Sequence, residues 1–218
     1  MKKILLALAC AAFVAPIASQ ASQSNDISYN YVQLDYANVS QSGHGFVADG
    51  GALTGSYSFA DHYQVFAGYS DLRTDKERYS IDGLGGYTFS EQAKSRPWTL
   101  GAGYFTAISN RTDWVTQLSY TRERLSDRFC LEGYRCQSFD DHYNVWTVNS
   151  GVMGHLTDHL IANAYLGYSN GGRGVEGNFF GDFGLLYTFN KTWALNGGVR
   201  VNNNSSTETF TLGVRASF

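Results

Sequence analysis

The sequence predicts an all-β protein, an antiparallel up-and-down transmembrane β-barrel of ten strands, with eight or twelve as the alternative counts. Three observations carry that prediction. Apolar and polar residues alternate with a period of two in segment after segment from residue 28 to the last residue, the mark of strands with one apolar and one polar face. Aromatic residues make up 15% of the chain, with 15 Tyr and 24 Gly but only 2 Pro. Tyr suits a lipid–headgroup boundary with its hydroxyl kept wet, and Gly suits a curved sheet around a confined interior. Beyond the first two dozen residues, no run approaches the roughly 20 apolar residues of a spanning helix.

The chain opens Met1-Lys2-Lys3, runs apolar over residues 4–18 and then reads Ser19-Gln20-Ala21. A positive start, a short apolar run and small residues at the −3 and −1 positions predict a cleaved signal peptide over residues 1–21. Residues 22–218 are then a single barrel domain. A lipoprotein site at Cys10 is disfavoured, because Ala7 stands where such a site wants Leu. Losing residues 1–21 removes two of the sixteen basic residues and leaves nineteen acidic ones, a formal charge of −5. That balance argues against nucleic acid as a partner. Cys130 and Cys136 remain as an even pair in an exported chain, which predicts a disulfide closing a tight loop. Two thiolates are too few for a Cys-only metal site, and no metal or other cofactor is expected.

The elements follow in order, all read from the alternation. Residues 28–39 form the first strand, with Val32, Leu34 and Tyr36 on one face. A turn cluster at 40–45 leads to a second strand over 46–59, ending on Leu53, Gly55, Tyr57 and Phe59. Ala60-Asp61-His62 is a short turn into Tyr63, Val65, Ala67 and Tyr69, and aromatics on both sides of it suggest a girdle. A charged loop over 71–78 precedes a strand at 79–90. Trp98, Leu100, Ala102 and Tyr104 mark the next strand, and Trp114, Leu118 and Tyr120 another. Residues 126–141 show no useful period and are expected as an extracellular loop pinned by the disulfide. Strands resume at 144–156, 160–169, 178–189, 193–201 and 209–218.

These are eleven candidates, and parity requires an even number. A signal peptide delivers the N-terminus to the periplasm, and the last strand is expected to end there as well. Counting forward, the strand at Trp98 should ascend; counting backward, the strand at 144 should descend. The segment 114–125 is therefore expected to be the odd one, part of a long third extracellular loop.

Inward residues on these phases include Gln33, Asp35, Asn163, Asp182, Asn196, Arg200 and Arg215. Arg facing lipid would cost about 2–4 kcal/mol near the midplane, so charges should point into the lumen. Asp182 and Arg200 sit at matching depths on neighbouring strands and are expected to pair. Asp35, Asp182, Arg200 and Arg215 are the candidate constriction of a narrow channel, or else a structural pair that satisfies the lumen. Asp140, Asp141 and His142 are the one Asp/His cluster near the outer face. A hydrolase of the omptin type would use such residues, but no second carboxylate pair is assignable, and enzymatic activity is not expected. No nucleophile elbow, Walker or zinc-finger spacing occurs. A barrel acting as an adhesin would use the loop over 109–141.

Two resemblances add to this reading. The last strand, with Phe210, Leu212, Val214, Ala216 and Phe218 on one face and Gly213 five residues from the end, resembles the C-terminal signal of outer-membrane β-barrels. That resemblance implies recognition by the barrel-assembly machinery. The runs Ser28-Tyr29-Asn30-Tyr31-Val32, Val65-Phe66-Ala67-Gly68-Tyr69-Ser70, Leu84-Gly85-Gly86-Tyr87 and Leu100-Gly101-Ala102-Gly103-Tyr104 look like small proteobacterial outer-membrane barrels of the porin-like superfamily. One branch of that superfamily was once labelled a secreted quorum-sensing and immune-activating factor. The resemblance implies a monomer in the outer membrane of a Gram-negative bacterium, surrounded by membrane lipid and lipopolysaccharide, serving as a narrow porin-like channel or a structural barrel.

Overall fold

The computed structural model describes residues 27–41, 45–81, 87–131, 136–171, 177–204 and 206–218. The expected signal peptide and its cleavage site after Ala21 lie outside the described residues. Twelve strands follow one another: β1 (Tyr31–Gln41), β2 (Gly45–Phe59), β3 (Tyr63–Arg73), β4 (Glu77–Ile81), β5 (Tyr87–Ser95), β6 (Trp98–Ser109), β7 (Thr112–Leu131), β8 (Cys136–His155), β9 (Leu160–Gly171), β10 (Asn178–Thr188), β11 (Trp193–Asn202) and β12 (Thr207–Ser217). Ten of them close into one antiparallel barrel, in the order β1, β2, β3, β6, β7, β8, β9, β10, β11, β12 and back to β1. Closure removes every sheet edge within the wall, so each backbone polar group there has a strand neighbour.

The alternation becomes two environments. Leu34, Leu53, Val65, Leu100, Leu118, Val148, Leu166, Leu185, Leu195 and Leu212 all point outward and are exposed. They form an apolar belt around the wall, flanked by aromatic girdles. Phe59, Tyr63 and Tyr104 stand at one margin, with ring centroids 6.1 and 5.5 Å apart in succession. Trp98, Tyr120 and Trp146 stand at the other, at 5.8 and 5.0 Å. An outward apolar band between two aromatic girdles is what a bilayer core with two headgroup boundaries selects.

The count of ten stands, but not the route to it. The segment 114–125 belongs to a barrel-forming strand: Val115 is buried inward, Trp114 and Leu118 face outward, and β7 pairs with β8 along its length and with β6 from Thr112 to Arg122. Residues 110 and 111 make the tight periplasmic turn between β6 and β7. The strand at Trp98 therefore descends rather than ascends. The non-spanning element is the one expected at 79–90. There β4 and β5 pair as a hairpin above the membrane, and Leu72 and Arg73 of β3 pair with Ser95 and Lys94 of β5. After a break at Arg96-Pro97 the chain continues downward as β6. The hairpin keeps period-two alternation because it is a strand pair, which is why alternation alone did not separate it from a spanning strand.

The segment 126–141 also differs from the expected irregular loop. β7 and β8 continue past the upper girdle as a regular two-stranded ribbon, with Cys130 directly opposite Cys136. The two cysteines are disulfide-bonded. β5 pairs with the upper half of β7, so β4, β5, β7 and β8 form a four-stranded extracellular sheet. The loop expected over 109–141 is therefore divided: its first part lies in the wall, and only the part above Tyr120 projects.

Candidate functional site: the lumen and the extracellular sheet

Three layers of side chains fill the lumen. At the periplasmic end, the segment before β1 turns inward. Tyr29 stacks on Phe105 with ring centroids 3.7 Å apart, and its hydroxyl donates to Asp113 Oδ2 at 3.0 Å. Ile27, Val115, Met153, Ile161, Tyr165, Leu186 and Ala194 complete this apolar plug. Asn30 secures it: its Oδ1 accepts from the Ser58 backbone N–H at 2.7 Å, and its carbonyl accepts from the Phe218 N–H at 3.1 Å. The sequence reading of residues 28–39 as one strand missed this plug, because Tyr29 keeps the phase of a strand residue while sitting before the strand begins.

The middle layer is polar. The Arg215 side chain is fully buried, donates from Nε to Gln33 Oε1 at 2.8 Å, and lies 3.9 Å over the Tyr31 ring. Gln33 Nε2 donates to Asp35 Oδ2 at 2.7 Å, and Asn196 Nδ2 donates to Asp35 Oδ1 at 2.6 Å. Gly213 makes that last contact possible. It lies between Asp35 and Asn196 in the strand register, and a β-carbon on it would collide with the Asp35 carboxylate and the Leu34 carbonyl.

Asp182 and Arg200 face each other directly across β10 and β11. Arg200 Nε donates to Asp182 Oδ1 at 2.9 Å, Nη2 donates to Oδ2, and the guanidinium lies 4.3 Å over the Phe180 ring. The candidate constriction residues thus fall into two networks rather than one. Arg200 stands opposite Thr209 on β12, six residues from Arg215, which is about 20 Å along a strand. Above them, Asn178, Asn202 and Thr207 are hydrogen-bonded to one another, while Ala37, Val39, Ala48, Leu72 and Leu125 form an upper apolar layer with Tyr143.

Glu123 is enclosed just above the upper girdle, between the outward-facing Arg122 and Arg124. Its Oε1 accepts from the Ser95 hydroxyl at 2.6 Å, while Oε2 has no hydrogen-bond partner. Burial pushes its carboxyl up to about 8, against a weaker downward pull from the Ser95 hydroxyl. The sequence showed Glu123 only as part of a charged run; its alternation with Arg122 and Arg124 was the signal that it points the other way.

Asp140, Asp141 and His142 do not converge. Asp140 and His142 share the outward face of β8, and Asp141 lies on the opposite face. Asp140 is held by Arg124 Nη2 at 2.8 Å and by the Ser126 hydroxyl at 2.5 Å, which keep its carboxyl below the usual range. No group of three or more His, Cys, Asp or Glu suited to a metal ion occurs among the described residues. On the terminal strand, Phe210, Leu212 and Val214 face outward and are exposed, as is Phe218 beyond it, while Ala216 is half-buried.

No protein-family model and no curated protein matches this chain. Solved structures do. The NanC porin superposes with a TM-score of 0.51 at 11% identity, over 86% of this chain and 100% of that one. The transport unit of the autotransporter AIDA-I from Escherichia coli superposes with a TM-score of 0.55 at 10% identity, over 99% of this chain and 96% of that one. The fold is that of the outer-membrane β-barrels. Its apolar belt and paired girdles are those of a membrane-spanning barrel, with strands β4, β5, β7 and β8 extending as a sheet beyond one girdle.

Proposed function

We propose that this protein is a monomeric structural barrel with a closed lumen, working through the sheet it displays outside the cell rather than by bulk conduction. One observation carries the reading: the lumen is filled at every level, from Tyr29 and Phe105 below, through Arg215 and Gln33, to Leu72 and Leu125 above, each no more than 2% exposed. Small barrels fill their interiors with side chains in this way. Asp35, Asp182, Arg200 and Arg215 then serve as lumen struts, and the disulfide-pinned ribbon above Tyr120 is the recognition surface. Barrel-assembly machinery that engages Phe210 to Phe218, lipopolysaccharide around the wall, and kinship with the proteobacterial porin-like superfamily belong to the same reading. The short strand motifs and the terminal strand support them.

A narrow porin-like pathway is the second reading, favoured by Ile27 and Tyr29 of the plug lying in the segment before β1 rather than in a wall strand. Planar-bilayer recording tests both. The intact barrel should show no stable openings, and stable unitary steps from it would refute the closed-lumen reading. Steps that appear only in a Y29A/F105A variant would identify the plug as a gate on a narrow pathway.

A further inference from the structure

Among the described residues, the cations of the outer wall above the upper girdle gather on one side. Successive pairings across β3, β5, β6, β7 and β8 define three outward rows. The lowest runs Tyr69, Trp98, Arg122, Asn144. In the middle row, Arg124 lies opposite His142 and Arg96 donates its backbone N–H to the Arg124 carbonyl, with Asp71 bound to the Arg96 side chain at 3.2 Å. The top row runs Arg73, Lys94, Ser126, Asp140. Five permanent cations therefore face outward against two carboxylates, Asp71 and Asp140. A third acid, Asp49, closes the β2 flank opposite Arg73 and accepts from the Tyr36 hydroxyl. Among the described residues Arg122 forms no ion pair, and Arg73, Arg96 and Arg124 remain 40–55% exposed although paired.

The far side is different. Among the described residues, outward positions near the upper ends of β9 to β12 and β1 include Asn170, Phe179, Val201, Glu208 and Asn38, none of them a cation. Among the described residues, every outward Lys or Arg beyond the upper girdle lies on the β3–β8 side.

We infer that this wall is a docking site for the phosphorylated headgroup of an outer-leaflet lipid. The position selects the occupant. Arg122 shares a row with Trp98, and Tyr120 and Trp146 stand one row below, so the cations sit where the belt ends and headgroup phosphates begin. They face the lipid, not the lumen, so a soluble solute crossing the barrel would not meet them. Arg forks match phosphate oxygens in bidentate geometry, and rows about 7 Å apart let one phosphate bridge Arg96 and Arg124 while a second reaches Arg122. Outward apolar Leu100, Leu118 and Val148 beneath would receive the acyl chains. This inference rests on the outer-membrane reading of the barrel.

The test uses the full-length folded barrel in detergent micelles, read by the temperature at which heat-modifiable gel migration is lost. The probes are a bis-phosphorylated lipid A, the same lipid without phosphates, and inorganic phosphate. The expected result is a rise of several degrees with the bis-phosphorylated lipid alone. A triple variant R96Q/R122Q/R124Q should lose that rise, with an apparent affinity at least tenfold weaker. R96K/R122K/R124K, which keeps the charge, should retain most of it, and the periplasmic R111Q should behave as wild type. An equal rise with the phosphate-free lipid, or a rise retained in the Gln variant, would overturn the proposal. A rise with inorganic phosphate alone would assign the wall to a soluble anion and overturn the lipid occupant. Absence of any folded, heat-modifiable band would instead count against the outer-membrane reading itself.

Discussion

Replacing Asp182 by Asn isolates the Asp182–Arg200 pair. Both residues are buried, 8% and 4% exposed, and Arg200 is held by two hydrogen bonds to Asp182 with the Phe180 ring beneath it. Removing one partner leaves a buried cation without its counter-charge, which costs about 3–5 kcal/mol. At an m-value of about 2 kcal/mol/M, a loss near the middle of that range lowers the urea midpoint by about 2 M. The assay is urea unfolding of the reconstituted barrel, followed by tryptophan fluorescence and by gel migration. The double variant D182L/R200M removes both charges and should recover much of the loss, since an apolar pair of similar volume often matches a buried ion pair. A midpoint shift under about 0.5 M for D182N would show that water reaches the pair and that the lumen is open at this level. A double variant as unstable as D182N would show that the strut acts through shape rather than charge.

The remaining predictions concern the extracellular side. Glu123 has a carboxyl pushed by burial from 4.5 to about 8, so between those values the folded barrel holds a proton that the unfolded chain has lost. Stability should therefore be highest below pH 4.5 and fall as pH rises towards 8; in E123Q the urea midpoint should lose this slope, and an unchanged slope would mean that another group supplies it. The C130S/C136S variant opens a loop with a sequence separation of 6, worth about 2 kcal/mol of chain entropy. Because the ribbon projects above the wall, its proteolysis should accelerate while the urea midpoint of the barrel stays within about 0.5 M. A large midpoint drop would show that the ribbon braces the wall.

Much of the wall was legible in the chain because alternation reports a local fact, that one strand face meets lipid and the other does not. Trp193, Leu195 and Val201 could be assigned outward with no knowledge of their neighbours. The same signal could not separate a spanning strand from an extracellular hairpin, since both are strands. Tyr79 and Phe89 alternate as Trp98 and Leu100 do, and only the pairing of β5 with the upper half of β7, and of β6 with its lower half, resolves them. The candidate site was legible by facing alone: Asp35, Asp182, Arg200 and Arg215 lie in the lumen, but their distribution over two networks depends on register.

By itself, then, the sequence determined the two solvents of this protein and which side of each strand sees which, while the choice of the strands that cross between them needed the pairing. The tertiary structure alone decided what closes the lumen and where the charge gathers outside. Arg215 meets Gln33 across 182 residues of chain, and Tyr29 meets Asp113 across 84. The basic wall forms because register aligns Arg96 with Arg124 and Lys94 with Ser126. Facing is set within a strand by its period of two, whereas these contacts are set between strands, by pairing register and by the closure that brings β1 beside β12.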